Sequence, residues 1–208
     1  MILSMRQIIG IDEVGRGCLA GPVLVTALYL PPKTSLSRRF LPKLRDSKKL
    51  SALEREKWFK FLKNHPKIFF ATARVLPTSI DKINITKAAN RAATKALKKL
   101  ITKNQLPRTK VKVFLDGGLY INHSRTNIKP STLNIRTIVR GDEKINAIKL
   151  ASIVAKVTRD KYMVKIHKKY PAYGFDRHKG YGTLVHRRAI RLKGISPLHR
   201  KSFCTKFV

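Results

Sequence analysis

Two carboxylates stand side by side inside an apolar, β-branched run, Ile8-Ile9-Gly10-Ile11-Asp12-Glu13-Val14. An ionised carboxyl on a half-buried strand is costly unless a cation, a donor or a metal faces it. The scarcity of acids sharpens the constraint, because 46 Lys+Arg face only 11 Asp+Glu, a formal net charge of +35. So self-repelling a surface suits a polyanionic partner, and nucleic acid is the expected one. Lysine is spread along all 208 residues rather than gathered in a tail, which points to a basic folded body. With 43% hydrophobic and 8% aromatic residues, wholesale disorder is excluded.

The longest uncharged apolar stretch, Cys18 to Pro32, is broken at Gly21-Pro22 and falls short of the ~20 residues that a membrane span needs. The first apolar run meets Asp12 and Glu13 too soon for a secretory signal. Cys18 and Cys204 form neither a disulfide framework nor a zinc spacing. The expected setting is a reducing compartment, the cytoplasm, with no membrane association.

Gln7 to Val14 and Pro22 to Leu30 read as strands joined by a Gly-rich turn at Gly15-Arg16-Gly17. Ser51-Ala52-Leu53-Glu54 is a capping-box pattern that opens a helix to about Lys63, and Ile68 to Leu76 is a third strand. Thr86 to Lys103 sets Ala89, Ala93, Leu97 and Leu100 on one helical face. Val111 to Leu115 and Asn134 to Val139 are two more strands, and one long helix is expected from Glu143 to about Lys169. After Pro171 the chain breaks into loop and helix pieces. The pattern predicts an α/β fold, a mixed five-stranded sheet flanked by helices, with a core over 1–170 and a small helical region over 171–208.

Asp12 and Glu13 have two readings: a strand-end pair neutralised by Lys or Arg, or metal ligands. Strand alternation sends neighbouring side chains to opposite faces. If both serve one metal, the strand must bulge or Glu13 must act through its backbone carbonyl. Asp116 ends a strand, where α/β sheets gather ligands, but an Asp-Gly turn residue is the plainer reading. Asp142 precedes the long helix as an N-cap aspartate would. Asp46 and Asp160 are weaker candidates, Asp160 being expected at the surface in an ion pair. Carboxylates that converge in a cationic protein suit hard Mg²⁺ or Mn²⁺ ions. Two such ions roughly 3.5–4 Å apart can activate a water and stabilise the leaving oxygen of a phosphodiester.

Six segments closely resemble the ribonuclease HII family, in family order and over nearly the whole chain. They are Asp12-Glu13-Val14-Gly15-Arg16-Gly17 with Gly21-Pro22, Asp46-Ser47-Lys48-Lys49-Leu50, Leu115-Asp116-Gly117, the run from Ala151 to Asp160, Lys179-Gly180-Tyr181-Gly182-Thr183, and Ser196 to Phe203. The resemblance implies an RNase H-like fold in which 1–170 is the catalytic core and 171–208 a substrate-binding region. It implies hydrolysis of the RNA strand of RNA–DNA hybrids and incision 5′ to single ribonucleotides in duplex DNA, with Mn²⁺ or Mg²⁺ as cofactor. The family's four acids fall on Asp12, Glu13, Asp116 and Asp142, the first three as metal ligands. Gly15, Arg16, Gly17, Ser47, Lys48 and Tyr181 are the implied substrate contacts. Glu143 and Lys149 depart from the pattern, which has smaller residues there.

Two other classes compete: an RNA-binding protein of ribosomal type, and a junction resolvase on the same fold. A passive binder gains nothing from acids buried in an apolar strand, and a resolvase would lack the Gly-Arg-Gly and Gly-Tyr-Gly-Thr segments. A monomer is expected, since like charge of this size opposes self-association.

Overall fold

The structure is a computed structural model that describes residues 7–106, 111–122 and 133–208. β1 (Gln7–Val14) pairs with β2 (Val23–Leu30), and β2 with β3 (Phe69–Val75), both antiparallel. β4 (Val111–Asp116) lies parallel to β1, and β5 (Asn134–Ile138) parallel to β4. The sheet order is β3-β2-β1-β4-β5, the mixed five-stranded sheet that the sequence predicts.

Helix α1 (Ala52–Asn64) opens on the capping box of Ser51 and Glu54. A short α2 (Pro77–Ile83) and a long α3 (Ile85–Asn104) follow β3. α3 lays an alanine-rich stripe, Ala88 to Leu100, on one sheet face against Ile9, Ile11, Val23 and Val25. Small side chains on that stripe let the helix axis lie close to the strands. The other face is covered by Trp58 and Leu62 of α1 and by Leu150, Ala151, Ile153 and Val154 of a further long helix.

That further helix differs from the expectation of one helix over Glu143 to Lys169. The segment forms two, α4 (Gly141–Lys144) and α5 (Asn146–His167), separated by an extended Ile145 (φ −114°, ψ 116°). The break has a tertiary cause. The Gly141 N–H donates to Asp116 Oδ1 at 2.7 Å, and Arg140 takes a left-handed conformation (φ 53°), so α4 is tethered to the end of β4 and cannot share the axis of α5. Asp142 therefore sits inside the first turn of α4, and Arg140 holds the N-cap position with no side-chain capping bond.

Gly10 explains how α5 reaches the sheet. A Cβ there would lie 2.2 Å from the backbone carbon of Ala147, so only a missing side chain permits this approach. The next residue on that side of β1 is Asp12, which is thereby brought beside α5.

The region after α5 comprises a 3₁₀ turn (Pro171–Tyr173), α6 (Phe175–His178), α7 (Leu184–Lys193) and α8 (Lys201–Cys204). Two buried arginines bind it to the core. Arg200 donates to the carbonyls of Gly15 (2.6 Å), Arg16 (2.8 Å) and Gly21 (2.9 and 3.0 Å). Arg159 donates to Pro22 (3.1 Å), Ala20 (3.0 Å) and Lys179 (2.8 Å). The β1–β2 connection is thus a longer loop over 15–22 clamped from beneath, not a tight hairpin turn. Cys18 and Cys204 are free and buried. Among the described residues no helix is long and apolar enough to cross a membrane.

Candidate active site

The β1–β4 pairing ends at Ile11↔Leu115, so Asp12 and Asp116 are the next residues on two adjacent parallel strands. Side-chain oxygens of Asp12, Glu13 and Asp116 come within 4.8 Å of one another. No bulge is needed: β1 stays in one-for-one register with β2 through Asp12↔Thr26, Glu13↔Val25 and Val14↔Leu24. Pairing with β4 has already stopped at Glu13, so its longer side chain can turn past the strand end toward Asp116.

Electrostatics at this point are unfavourable as they stand. Burial, and then the charge of Glu13, push the Asp12 carboxyl well above the ordinary carboxylate range, against a hydrogen bond from Ser152. Burial also raises Glu13, although Arg16, 3.2 Å away, opposes the shift. Glu13 Oε2 is buried without a hydrogen-bond partner among the described residues. Crowded carboxylates with an unsatisfied oxygen present a donor set of hard oxygens, which fits a divalent cation such as Mg²⁺ or Mn²⁺.

The four acids and six substrate contacts that the resemblance implies line one cavity of about 250 Å³: Asp12, Glu13, Asp116 and Asp142, with Gly15, Arg16, Gly17, Ser47, Lys48 and Tyr181; the weaker candidates Asp46 and Asp160 do not. Asp142 Oδ2 lies 3.4 Å from Lys48 Nζ. Burial pulls the Lys48 ammonium down, but the charges of Asp142, Asp46 and Asp12 outweigh it and hold the ammonium above its usual value. Asp46 accepts from the Lys48 N–H (2.9 Å) and so caps the short 3₁₀ turn Ser47–Lys49. Ser47 Oγ meets Ser152 Oγ at 2.8 Å. Arg16 donates to Thr86 Oγ1 at 3.3 Å as well as to Glu13. Gly15 has φ 85°, and a Cβ there would meet Arg159, whereas one on Gly17 would meet open space. The Tyr181 ring, 40% exposed, has Lys156 Nζ at 5.7 Å and Arg159 Cζ at 5.9 Å from its centroid.

Asp160 pairs with Lys156 at 2.9 Å and does not line the cavity, as expected for an ion-paired residue. Glu143 is exposed outside the cavity, and Lys149 is half-buried on α5. Sequence reasoning did not single out Val14, Ser152 or Lys156, which also line it. The last two stand four apart on α5, hence on one helical face, and that spacing was the available signal.

Fold and site together define a class: an RNase H-like α/β protein with clustered carboxylates at the ends of its central parallel strands. Comparison with known proteins narrows it. The ribonuclease HII family model matches residues 9–206. Ribonuclease HII of Coxiella burnetii (strain RSA 493 / Nine Mile phase I) is 43% identical over 200 residues, covering 96% of this chain and 89% of that protein. Its counterpart in Chlamydia pneumoniae is 40% identical over 194 residues, covering 93% and 81%. The crystal structure of ribonuclease H2 from Pyrococcus horikoshii OT3 superposes with a TM-score of 0.72 at 24% identity, covering 97% of this chain and 96% of that one. The chain belongs to the ribonuclease HII family.

Proposed function

We propose that this protein is a metal-dependent endoribonuclease that hydrolyses the RNA strand of RNA–DNA hybrids. It would also incise 5′ to single ribonucleotides embedded in duplex DNA, leaving 5′-phosphomonoesters. The observation that carries this reading is the convergence of three carboxylates, one with an unpartnered oxygen, within 4.8 Å inside a chain of net charge +35.

Asp12, Glu13 and Asp116 would hold Mn²⁺ or Mg²⁺, and Asp142 would complete a second ion position or help release product. When bound, such ions supply an activated water and stabilise the leaving oxygen. The other residues bind and orient. Backbone amides at Gly15 and Gly17 can approach the ribose, whose 2′-hydroxyl separates RNA from DNA. Arg16, Ser47 and Lys48 would anchor phosphates, which fix register without reading sequence. The ring of Tyr181 would lie against the deoxyribose beyond the ribonucleotide. In this reading 1–170 is the catalytic core and 171–208 shapes the substrate contact. The protein would act as a monomer in the cytoplasm, a setting in keeping with its two free buried cysteines.

The test is a labelled DNA duplex with one ribonucleotide, incubated with Mn²⁺ or Mg²⁺ beside a four-way junction. Incision at the ribonucleotide that EDTA abolishes is expected. Binding without cleavage would favour an RNA-binding protein, and cleavage of the junction alone a resolvase.

A further inference from the structure

Behind Tyr181 lies a buried cluster of three histidines, His178, His186 and His199, that the catalytic reading does not use. Their hydrogen bonds to the backbone fix where each proton must be. His186 Nδ1 lies 2.9 Å from the Tyr181 carbonyl, which can only accept, so this nitrogen carries a hydrogen. His199 Nδ1 accepts from the Ser196 N–H at 2.9 Å, so it carries none, and the neutral ring has its hydrogen on Nε2. The two Nε2 atoms are 3.0 Å apart, one a donor and the other an acceptor. A single directed chain results: Ser196 N–H to His199, His199 to His186, His186 to the Tyr181 carbonyl.

His178 holds the same segment from its other side. Its Nδ1 accepts from the Gly180 N–H (3.1 Å) while Nε2 donates to the Tyr173 carbonyl (2.7 Å), and its ring stacks on His186 with centroids 4.3 Å apart. Burial keeps His186 and His199 neutral, both near a pKa of about 4. The groups that face the pair are His178 and the rings of Phe175 and Tyr173; the neighbouring Arg200 guanidinium is directed instead to the carbonyls of the 15–21 loop. Among the described residues no carboxylate is hydrogen-bonded or ion-paired to His186 or His199; the Tyr181 carbonyl at His186 and Ser196 at His199, whose Oγ also lies 2.9 Å from Nδ1, favour a protonated ring, and burial outweighs both.

We propose that His186 and His199 are positioning residues for substrate: a neutral imidazole pair whose fixed donor–acceptor direction sets the backbone of Tyr181, and through it the ring that meets the nucleotide beside the scissile bond. This rests on the role given to Tyr181 above. A cluster that only filled space would need no defined proton order. Here a proton added to His186 would put two N–H groups face to face, and one added to His199 would oppose the Ser196 N–H.

Two measurements on the full chain decide it. In metal-free protein, ¹⁵N-resolved NMR, assigned with the single variants, should find His186 protonated on Nδ1 and His199 on Nε2. Both should stay neutral down to about pH 5.5, well below an ordinary histidine. The opposite tautomer at either ring, or titration above that pH, overturns the inference. The second measurement compares His199→Phe, which fills the ring space, with His199→Gln, which keeps a donor toward His186. The Phe variant should lose about tenfold in kcat/KM on a single-ribonucleotide duplex while its affinity for all-DNA duplex is unchanged, and the Gln variant should stay within about threefold of wild type. In a Tyr181→Ala background the Phe substitution should add little. Equal loss in the Gln and Phe variants would assign the effect to packing and overturn the positioning role. So would normal incision by the Phe variant when Tyr181→Ala is impaired. Normal incision by Tyr181→Ala alone would instead defeat the role of Tyr181, and this inference with it. Should the Phe variant fail to fold, the spectrum and the Gln variant still decide.

Discussion

The acidic cavity and the histidine–arginine pocket behind it are both polar and largely buried, yet they solve opposite problems. In the cavity, like charges crowd and Glu13 keeps an oxygen without a partner. In the pocket, two guanidinium groups and three imidazoles are directed onto backbone groups that fix them. One region holds unfavourable electrostatics ready for a bound cation, and the other provides the stiffness that lets it do so. The contrast teaches that a functional site is recognised less by polarity than by polarity left uncompensated.

The sharpest way to break this contrast is to remove a carboxylate. Asp116→Asn and Asp12→Asn should each cut incision on the order of a thousandfold in kcat while duplex binding persists. Asp12→Asn should also raise the melting temperature of metal-free protein above neutral pH, because it deletes a buried charge that the fold does not compensate. A normal rate for either variant would show that the cluster holds no essential ion.

The pocket should answer in the other direction. Arg200→Ala leaves the carbonyls of Gly15, Arg16 and Gly21 unpaired and should cost about 3 kcal/mol in denaturant unfolding, with incision falling as the 15–21 loop loosens. An unchanged unfolding midpoint would mean that water replaces the guanidinium freely.

Acid should separate the two regions by sign. His186 and His199 take up protons near 6.5 when unfolded but only near about 4 when folded, so their contribution is complete above 6.5 and is lost as pH falls toward 4. Asp12 and Glu13 have raised folded carboxyls, so their contribution is present at low pH and is lost as pH rises through those raised values. Melting temperature against pH in metal-free protein should therefore pass through a maximum. Asp12→Asn should flatten its upper limb, and His199→Gln its lower one. A control outside both regions is Ser51→Ala, which breaks the α1 capping box and should cost about 1 kcal/mol of stability with no change in incision rate.

Much of this was legible in the sequence for identifiable reasons. β-branched runs bounded by glycine gave the strands, and the alanine stripe gave α3. The acids stood out because charge in an apolar run is costly. What stayed hidden depends on contacts between distant residues. The break at Ile145 follows from the Gly141–Asp116 bond, and no local pattern encodes it. α2 is only seven residues long and begins with Pro77, so no periodicity could develop. Ser152 acquires meaning only when α5 lies on β1. Arg159 and Arg200 were two among 46 basic residues, and nothing local marks them as buried. The histidines lack any metal spacing and read as scattered until folding stacks them.

The Arg200 clamp has a consequence for the order of synthesis. Its bond to Gly15 joins residues 185 apart. A ribosome therefore makes both strands that flank the 15–22 loop long before the residue that secures it. Until Arg200 emerges, the nascent chain carries the acids of β1 beside an unfastened loop, so nuclease competence should appear only late in translation, and abruptly.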